Sequence, residues 1–184
     1  MIKFLFRLYF KLTGWKLIGA FPYDVKKAVC IVAPHTSNYD YVISVMSRTL
    51  MGVKAKYLAK KELFDSAFGF LFYWSGGIPV DRKNHHHLTE QIINSSTKEG
   101  NFYIAITPEG TRKRVTRWKT GFYNIAVAAD IPIICFAIDY KTKEFRIGPV
   151  FYPTGDYKKD LEFFRELYSK ATPRHPENWY ADFE

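Results

Sequence analysis

The sequence predicts a single α/β domain: a central, mostly buried mixed sheet flanked by helices, with a basic amphipathic helix in front of it. The main observation is that short apolar runs, each the length of a buried strand, alternate with longer segments of helical periodicity. The chain has 184 residues, of which 47% are hydrophobic, and this is enough for one domain with its own core. No internal repeat, low-complexity stretch or linker divides the sequence.

The predicted elements alternate between residues 28 and 171, which we take as the bounds of the folded domain. Strands are predicted over Ala28–Ala33, Lys54–Ala59, Ile78–Val80, Phe102–Ile106, Ile131–Ile138 and Phe145–Val150. Helices are predicted over Tyr39–Leu50, Lys61–Phe70, His85–Lys98, Thr120–Ala129 and Tyr157–Lys170. Residues 172–184 carry two prolines and several acidic residues, so we expect an irregular tail.

The segment 1–27 is predicted to contain a helix over residues 2–18 that lies on a membrane surface. Basic residues recur at every fourth position and apolar residues lie opposite them, a pattern typical of interfacial helices. The segment holds six Lys or Arg against Asp24 alone, and each basic residue near an anionic leaflet contributes about 1 kcal/mol. A terminal helix docked on the domain core would show a similar pattern. The residues expected to contact the membrane are Lys3, Phe4, Arg7, Leu8, Lys11 and Trp15.

The whole chain is basic, with 27 Lys and Arg against 18 Asp and Glu and a formal net charge of +9. Such a surface attracts nucleic acid, anionic lipid or phosphorylated substrates, and charge alone does not choose among them. No stretch reaches the roughly 18 apolar residues of a spanning helix, and no signal-peptide cleavage site follows the first helix, so we expect a cytoplasmic protein. Cys30 and Cys135 lie in apolar runs and are expected to be buried, reduced thiols.

The first candidate block, His35–Asp40, follows the first buried strand, and ligands collect at that end of strands in α/β sheets. An aspartate five residues after a histidine can accept a hydrogen bond from one ring nitrogen and fix the tautomer. The other nitrogen is then free to take a proton from a substrate hydroxyl. The pair resembles a hydrolase triad in which the hydroxyl group of the substrate replaces the serine. Alternatively, Ser37 or Asn38 caps the helix and the histidine is incidental.

Two further blocks also follow predicted strands. In Gly76–Arg82, two glycines allow a tight turn and Arg82 ends the strand, where a guanidinium group suits a bidentate grip on phosphate. In Thr107–Arg112, Gly110 permits close approach of the backbone and Arg112 can pair with an anion. Each block could instead be a surface turn or a loop closed by an ion pair. Because all three blocks follow buried strands, we expect them to meet at one edge of the sheet.

The blocks in this order resemble the glycerolipid acyltransferase family, which includes the lysophosphatidic acid acyltransferases. The first and third blocks are highly specific as a pair, and the resemblance extends over most of the chain. The fourth block departs from the family pattern, because Cys135 stands where the family has a second proline. The matching segments are H-x4-D at His35–Asp40, I-P-V-D-R at Ile78–Arg82, P-E-G-T-R at Pro108–Arg112, and the run Ile131–Ile134.

The resemblance implies a role for each matching residue. His35 would be the general base that deprotonates the acceptor hydroxyl, and Asp40 would orient it. Backbone N–H groups would stabilise the oxyanion, and neither a covalent acyl-enzyme nor a metal is expected. The phosphate-glycerol head of the acceptor, or an equivalent polar group, would be bound by Arg82, Glu109, Gly110, Thr111 and Arg112.

The resemblance also implies a membrane-associated O-acyltransferase of phospholipid biosynthesis. It would transfer a fatty acyl group from acyl-CoA or acyl carrier protein, as a cosubstrate, to a lysophosphatidic acid-like acceptor, with no tightly bound cofactor. We expect a peripheral protein at the cytoplasmic face of a membrane, the inner membrane in a bacterium, where it contacts anionic lipid and no nucleic acid. Open alternatives are an acceptor such as an acylated amino acid lipid, glycerol 3-phosphate or another lysolipid, or a non-catalytic basic protein that binds membrane or nucleic acid.

Two other features belong to none of the four blocks. Successive helical residues point in different directions, so His85–His87 is not expected to bind a metal and is interpreted as a solvated or headgroup-facing cluster. The run 112–119 packs basic residues around a tryptophan. It is either a solvated loop or a contact with anionic lipid, with the phosphates of coenzyme A or with the acidic surface of acyl carrier protein.

Overall fold

A mixed sheet of seven strands forms the centre of the molecule. The structure is a computed structural model that describes residues 1–80, 85–98 and 100–182, and all elements named below belong to these residues. The strands are β1 Lys16–Ile18, β2 Lys27–Ala33, β3 Ala55–Lys60, β4 Gly77–Val80, β5 Phe102–Ile106, β6 Ile133–Asp139 and β7 Glu144–Phe151. Their order is β1-β7-β6-β2-β5-β3-β4, which makes β2 the central strand. Neighbouring strands are parallel except for β6 and β7.

Helices cover both faces of the sheet. They are α1 Ile2–Thr13, α2 Asn38–Met51, α3 Lys61–Phe64, α4 Gly69–Trp74, α5 His85–Lys98, α6 Gly121–Ala129 and α7 Tyr157–Ser169, with a 3₁₀ helix at Pro176–Asn178. Side chains of α5, α6 and α7 form one core cluster, and side chains of α1 and α2 contribute to the other. Within the described ranges, no helix has the length and apolar character needed to cross a bilayer.

The central strand β2 is buried on both faces. Its residues alternate between the two core clusters, which is the period of a strand, and burial on both faces explains the continuous apolar run in the sequence. Cys30 and Cys135 are buried free thiols, as predicted, and they belong to opposite clusters. Val29, Ile31 and Ala33 face the α5–α7 cluster, and Ala28, Cys30 and Val32 face the other.

The predicted fold class is confirmed: one α/β domain contains a mixed sheet flanked by helices. Each strand predicted between residues 28 and 171 is present, and so is each helix, apart from one that is divided in two. The expected irregular tail contains the 3₁₀ helix Pro176–Asn178. Trp179 and Tyr180 of this tail pack against the α5–α7 cluster, so the tail completes the core on that face.

The N-terminal helix is shorter than predicted. α1 ends at Thr13, and Gly14 follows it with a φ of 80°, a left-handed conformation that ends helices. The chain then enters the sheet as the edge strand β1, in which Lys16 lies opposite Glu144 of β7. The prediction of one helix over residues 2–18 is therefore wrong for residues 14–18, because pairing with a free sheet edge replaces the last helical turn.

The segment predicted as one helix over Lys61–Phe70 forms two short helices, α3 and α4. Gly69 begins α4 and is buried, and a Cβ atom built on it would lie 1.9 Å from the carbonyl oxygen of Phe64. Because this contact leaves no room for a side chain, the chain can fold back here only at a glycine. The break turns α4 toward β4, the strand that precedes Arg82.

Candidate active site

The first and third blocks follow strands that lie side by side. β2 pairs in parallel with β5 on one side and with β6 on the other, so the carboxyl ends of these three strands share one edge of the sheet. His35 follows β2, the block Thr107–Arg112 follows β5, and Tyr140 follows β6. The structure thus brings the histidine block and the glutamate–arginine block to one place.

The side chains of His35 and Asp40 form a close pair. Nδ1 of His35 lies 3.2 Å from Oδ2 of Asp40, and the two side chains are 15% and 1% exposed. Since a carboxylate can only accept, Nδ1 carries the hydrogen of the neutral ring and Nε2 is the basic nitrogen. A partly accessible imidazole held by a buried carboxylate is an arrangement that can remove a proton from a hydroxyl group.

Asp40 also fixes the start of α2. Its Oδ2 accepts hydrogen bonds from the backbone N–H groups of Thr36 and Ser37, each at 2.8 Å. The hydroxyl oxygen of Ser37 in turn accepts from the N–H group of Tyr39 at 3.1 Å. This is a capping box, so the capping interpretation and the catalytic interpretation of the block describe the same residues. The helix start holds the carboxylate in place against the imidazole ring.

Glu109 is buried behind the histidine. Its Oε1 accepts a hydrogen bond of 2.8 Å from the backbone N–H group of His35, and its Oε2 has no hydrogen-bond partner among the residues that the structure describes. Burial raises the pKa of Glu109 to about 8; hydrogen bonds with backbone groups, including that of His35, oppose the rise, and the nearby charge of Asp40 adds to it. The third block therefore supports the backbone of the first, a role that the sequence did not indicate. Contact of Glu109 with an acceptor stays a prediction.

The remainder of the third block forms a tight turn. Gly110 has a φ of 63°, a conformation that favours glycine, and its N–H group donates to the carbonyl oxygen of Thr107 at 3.0 Å. Thr111 is partly exposed and Arg112 is exposed. The turn thus presents a cation at the sheet edge that carries His35, and contact of Gly110, Thr111 and Arg112 with an acceptor stays a prediction.

The predicted phosphate-binding Arg82 lies outside the described residues. β4 ends at Val80 and runs parallel to β3, which runs parallel to β5, so the strand before Arg82 ends at the same edge of the sheet. His85–His87 begin α5, but their side chains are also outside the described part of the chain. Among the described residues, no group of three His, Cys, Asp or Glu side chains is placed to hold a metal ion.

Tyr140 is the main site residue that the sequence reasoning missed. Its hydroxyl group donates to Oδ1 of Asp40. Burial, and then the hydrogen bond to Asp40, raise the pKa of Tyr140 far above its ordinary value, so the hydroxyl group keeps its proton and acts as the donor. The one available signal was its position directly after a buried strand, at the end where the other blocks lie.

An aromatic and basic cleft lies beside Tyr140. It has a volume of about 450 Å³. The guanidinium group of Arg174 lies 4.8 Å from the centre of the Tyr39 ring, and Nζ of Lys143 donates to the carbonyl oxygen of Thr13 at 2.9 Å. Two cations at its rim make the cleft suitable for an anionic group. The lining residues are Thr13, Trp15, Tyr39, Tyr140, Lys143 and Arg174.

The fourth block lies away from this edge. Ile133 is paired with Val29, so the block lies beside the amino-terminal half of β2. The register between β6 and β7 shifts at Cys135, between Ile134 and Phe136, and irregular positions tolerate a proline that lacks an N–H group. Cys135, which stands where the family has a second proline, therefore lies in the core. Burial raises the pKa of the Cys135 thiol to about 12, and such a thiol is a poor nucleophile.

The residues predicted to contact a membrane fall into two groups. Phe4 and Leu8 on α1 are 68% and 41% exposed, and the basic residues at positions 3, 7 and 11 are exposed as well. Trp15, however, is only 6% exposed, and its ring packs edge-on against Tyr140 at 5.2 Å. The prediction for Trp15 is therefore wrong, because the chain leaves the helix at Gly14 and turns this side chain into the core.

The basic run 112–119 surrounds a tryptophan that is not at the surface. Trp118 is 1% exposed and packs edge-on against Phe122 and Tyr168 at 6.0 and 5.4 Å. Lys113 and Arg117 are exposed. Trp118 anchors the loop to the core. The basic side chains of the run therefore stay available to an anionic partner, whereas the tryptophan does not.

Comparison with known proteins gives one family. Residues 17–139 match the family model described as Acyltransferase. The chain is 32% identical over 123 residues to the 1-acyl-sn-glycerol-3-phosphate acyltransferase of Escherichia coli K12, covering 64% of this chain and 49% of that protein. It is 30% identical over 143 residues to the probable 1-acyl-sn-glycerol-3-phosphate acyltransferase of Mycoplasma pneumoniae, covering 71% of this chain and 52% of that protein. The chain thus spans about half the length of these curated relatives.

A solved structure shares the fold. The crystal structure of the 1-acyl-sn-glycerophosphate (LPA) acyltransferase PlsC from Thermotoga maritima superimposes with a TM-score of 0.63 and covers 92% of this chain and 76% of that one. The sequence identity is 17%, so this likeness bears on the fold alone. It agrees with the mixed sheet and flanking helices described above.

Proposed function

Because this chain belongs to the Acyltransferase family, we propose that it transfers a fatty acyl group from a thioester donor to a hydroxyl group of a lysophosphatidic acid-like acceptor. The observation that supports this most directly is the pair of His35 and Asp40, 3.2 Å apart at the carboxyl end of the central strand. The named relatives act, by their names, on 1-acyl-sn-glycerol 3-phosphate, and this favours the same acceptor class here.

The reaction proceeds by direct transfer. Nε2 of His35 takes the proton of the acceptor hydroxyl group while the oxygen of that group attacks the carbonyl carbon of the thioester. This attack forms a tetrahedral oxyanion. The carbonyl re-forms, the carbon–sulfur bond breaks and the leaving thiolate takes the proton from the imidazolium ring. The products are the acylated acceptor and a free thiol. Asp40 stabilises the transient imidazolium and holds the ring in place.

The acceptor and donor are anionic, and the site edge carries cations that suit them. Arg112 is exposed after β5, and Arg82 follows the parallel strand β4, so both guanidinium groups are proposed to bind the acceptor phosphate together with the Glu109–Thr111 turn. The donor is acyl-CoA or acyl carrier protein, whose phosphates or acidic surface suit the exposed cations of the run 112–119.

Peripheral attachment to a membrane fits two exposed apolar surfaces. On α1, exposed apolar side chains lie beside exposed Lys3, Arg7 and Lys11, and the helix holds no acidic residue. On α4, Phe70 and Trp74 are 65% and 62% exposed, and aromatic side chains of this kind suit a membrane interface. We place the protein at the cytoplasmic face of an anionic membrane, the inner membrane in a bacterium.

The test is acyl transfer by purified protein from labelled acyl-CoA or acyl carrier protein to lysophosphatidic acid. We expect His35→Ala to lower kcat by at least about 100-fold, since a positioned base contributes roughly 10²–10⁴. The matched control is His175→Ala. The His175 side chain is 45% exposed and pairs with Glu177, and we expect this variant to keep its activity. Full turnover by His35→Ala would refute the mechanism.

The open alternatives are separated in the same assay. Glycerol 3-phosphate, another lysolipid and an acylated amino acid lipid, offered in parallel, would identify a different acceptor. If folded wild-type protein transferred no acyl group to any of them and instead bound DNA with steep salt dependence, the chain would be a basic binding protein. The paired His35 and Asp40 have no function in that alternative.

A further inference from the structure

Two distant parts of the chain contact the carboxylate of Asp40. Its Oδ2 accepts from the backbone N–H groups of Thr36 and Ser37 and lies 3.2 Å from Nδ1 of His35, whereas its Oδ1 accepts from the hydroxyl group of Tyr140. Tyr140 lies 100 residues further along the sequence and belongs to none of the four blocks. The hydroxyl group of Tyr140 thus donates to Oδ1, the carboxylate oxygen that neither His35 nor the start of α2 contacts.

The tyrosine is held in place independently of the aspartate. Its backbone N–H group donates to the carbonyl oxygen of Thr172 at 2.8 Å. Its ring packs edge-on against Trp15 at 5.2 Å and lies 6.3 Å from the ring of Tyr39. Three segments, the turn before β1, the start of α2 and the C-terminal tail, therefore fix the direction in which the hydroxyl group points.

We propose that Tyr140 is a positioning residue for the acyl transfer: its hydroxyl group holds Asp40 and sets how strongly Asp40 attracts the proton of His35. A hydrogen bond to Oδ1 spreads the charge of the carboxylate and restricts its rotation, so that Oδ2 stays directed at Nδ1. The inference rests on the proposed function of the pair. It adds a third member, supplied by the strand end beside β2, to the two residues that the sequence indicated.

Within the part of the chain that the structure describes, the charged and titratable groups around the pair come from four segments. Glu109 faces it from the loop after β5, Tyr39 from α2, Tyr140 from the end of β6 and Arg174 from the tail. All of them except the tyrosine hydroxyl are unchanged when Tyr140 is replaced by phenylalanine. The effect of that substitution on the pair therefore reports on the one hydrogen bond.

The experiment compares wild-type protein with Tyr140→Phe, which keeps the ring and its packing. Without the donor, Asp40 bears a less neutralised charge and favours the protonated ring of His35. We expect the acidic limb of the kcat/KM profile to move upward by about half a pH unit or more. We expect kcat to fall by about tenfold at the optimum, with KM changed less than twofold. The midpoint of the His35 ring signal, titrated by NMR without substrate, should move in the same direction.

The matched control is Tyr103→Phe. The hydroxyl group of this buried tyrosine donates to the carbonyl oxygen of Val25 at 2.6 Å. The variant should lose similar stability but shift neither the acidic limb of the kcat/KM profile nor the NMR titration of His35. An unshifted NMR titration in Tyr140→Phe, or equal kinetic losses in both variants, would overturn the inference. The NMR measurement needs no turnover, so it decides the matter even if wild-type protein proved inactive, which would refute the proposed function separately.

Discussion

The carboxyl group of Glu109 has the least ordinary environment of any acid in the site. Its pKa of about 8 lies above the ordinary 4.5 because the group is buried, so the folded protein keeps a proton that the unfolded chain releases above pH 4.5. The contribution of Glu109 to the stability of the wild-type protein should therefore decline as the pH rises from about 4.5 to 8 and level off above that. The residue that supports the His35 backbone is at the same time a source of pH-dependent stability.

Glu109→Gln tests this assignment, since glutamine keeps an oxygen for the His35 N–H group but cannot ionise. We expect the free energy of unfolding of the variant minus that of wild type to increase by roughly 1–4 kcal/mol between pH 4.5 and pH 8. Urea denaturation at several pH values measures it. The exposed Glu166→Gln, which loses only a surface pair with Lys170, should show a flat difference; a flat difference for Glu109→Gln as well would contradict the buried-acid assignment.

At the scale of elements, hydrophobic pattern predicted the long buried strands and the long helices, and it failed where backbone geometry decided the outcome. β5 was predicted at the bounds found in the structure, because an apolar run ended by Thr-Pro admits little else. The end of α1 and the break between α3 and α4 depend on Gly14 and Gly69. After Gly14 the chain pairs with a distant sheet edge, and at Gly69 it lies against the carbonyl oxygen of Phe64. Neither contact is visible in a local window.

The break before α4 makes a prediction about Gly69. Adding one methyl group there places it 1.9 Å from the Phe64 carbonyl oxygen, and backbone atoms on both sides must shift. We expect Gly69→Ala to lower the free energy of unfolding by about 1–3 kcal/mol. The control is Gly121→Ala at the start of α6, where a Cβ meets nothing within 4 Å and a change of at most about 1 kcal/mol, toward stability, is expected. Thermal or urea unfolding that ranked the two variants in the opposite order would exclude this packing.

At the scale of the whole molecule, the parallel sheet explains why part of the site could be predicted. Blocks that follow parallel strands must meet at one edge, so the meeting of His35 with the Glu109 loop followed from order alone. The contacts that complete the pair did not follow, because they join residues 74 and 100 positions apart. Whether a strand end supplies an acceptor or a donor depends on the register between strands, which a single sequence does not contain.

The packing of α1 and α4 in the whole molecule determines how it would lie on a membrane. α1 and α4 both pack against α2, since Tyr9 of α1 hydrogen-bonds to Tyr39 and Phe72 of α4 lies 5.8 Å from the ring of Tyr41. The exposed apolar residues of α1 and α4 therefore flank the helix that begins just after His35. A bilayer that touches both surfaces would bring a lipid acceptor to the base.

This orientation predicts that Trp74 enters the lipid. We expect wild-type fluorescence to be quenched on anionic vesicles whose acyl chains carry bromine, and Trp74→Phe to bind equally but lose most of that quenching, because Trp15 and Trp118 are buried. Trp179→Phe is the control that should keep it. Charge reversal of α1 by Lys3→Glu and Arg7→Glu should weaken vesicle binding by about tenfold or more at low salt, since each cation contributes about 1 kcal/mol. If vesicle-bound protein left Trp74 unquenched, the bilayer would touch α1 alone and the acceptor would have to reach His35 from the aqueous side.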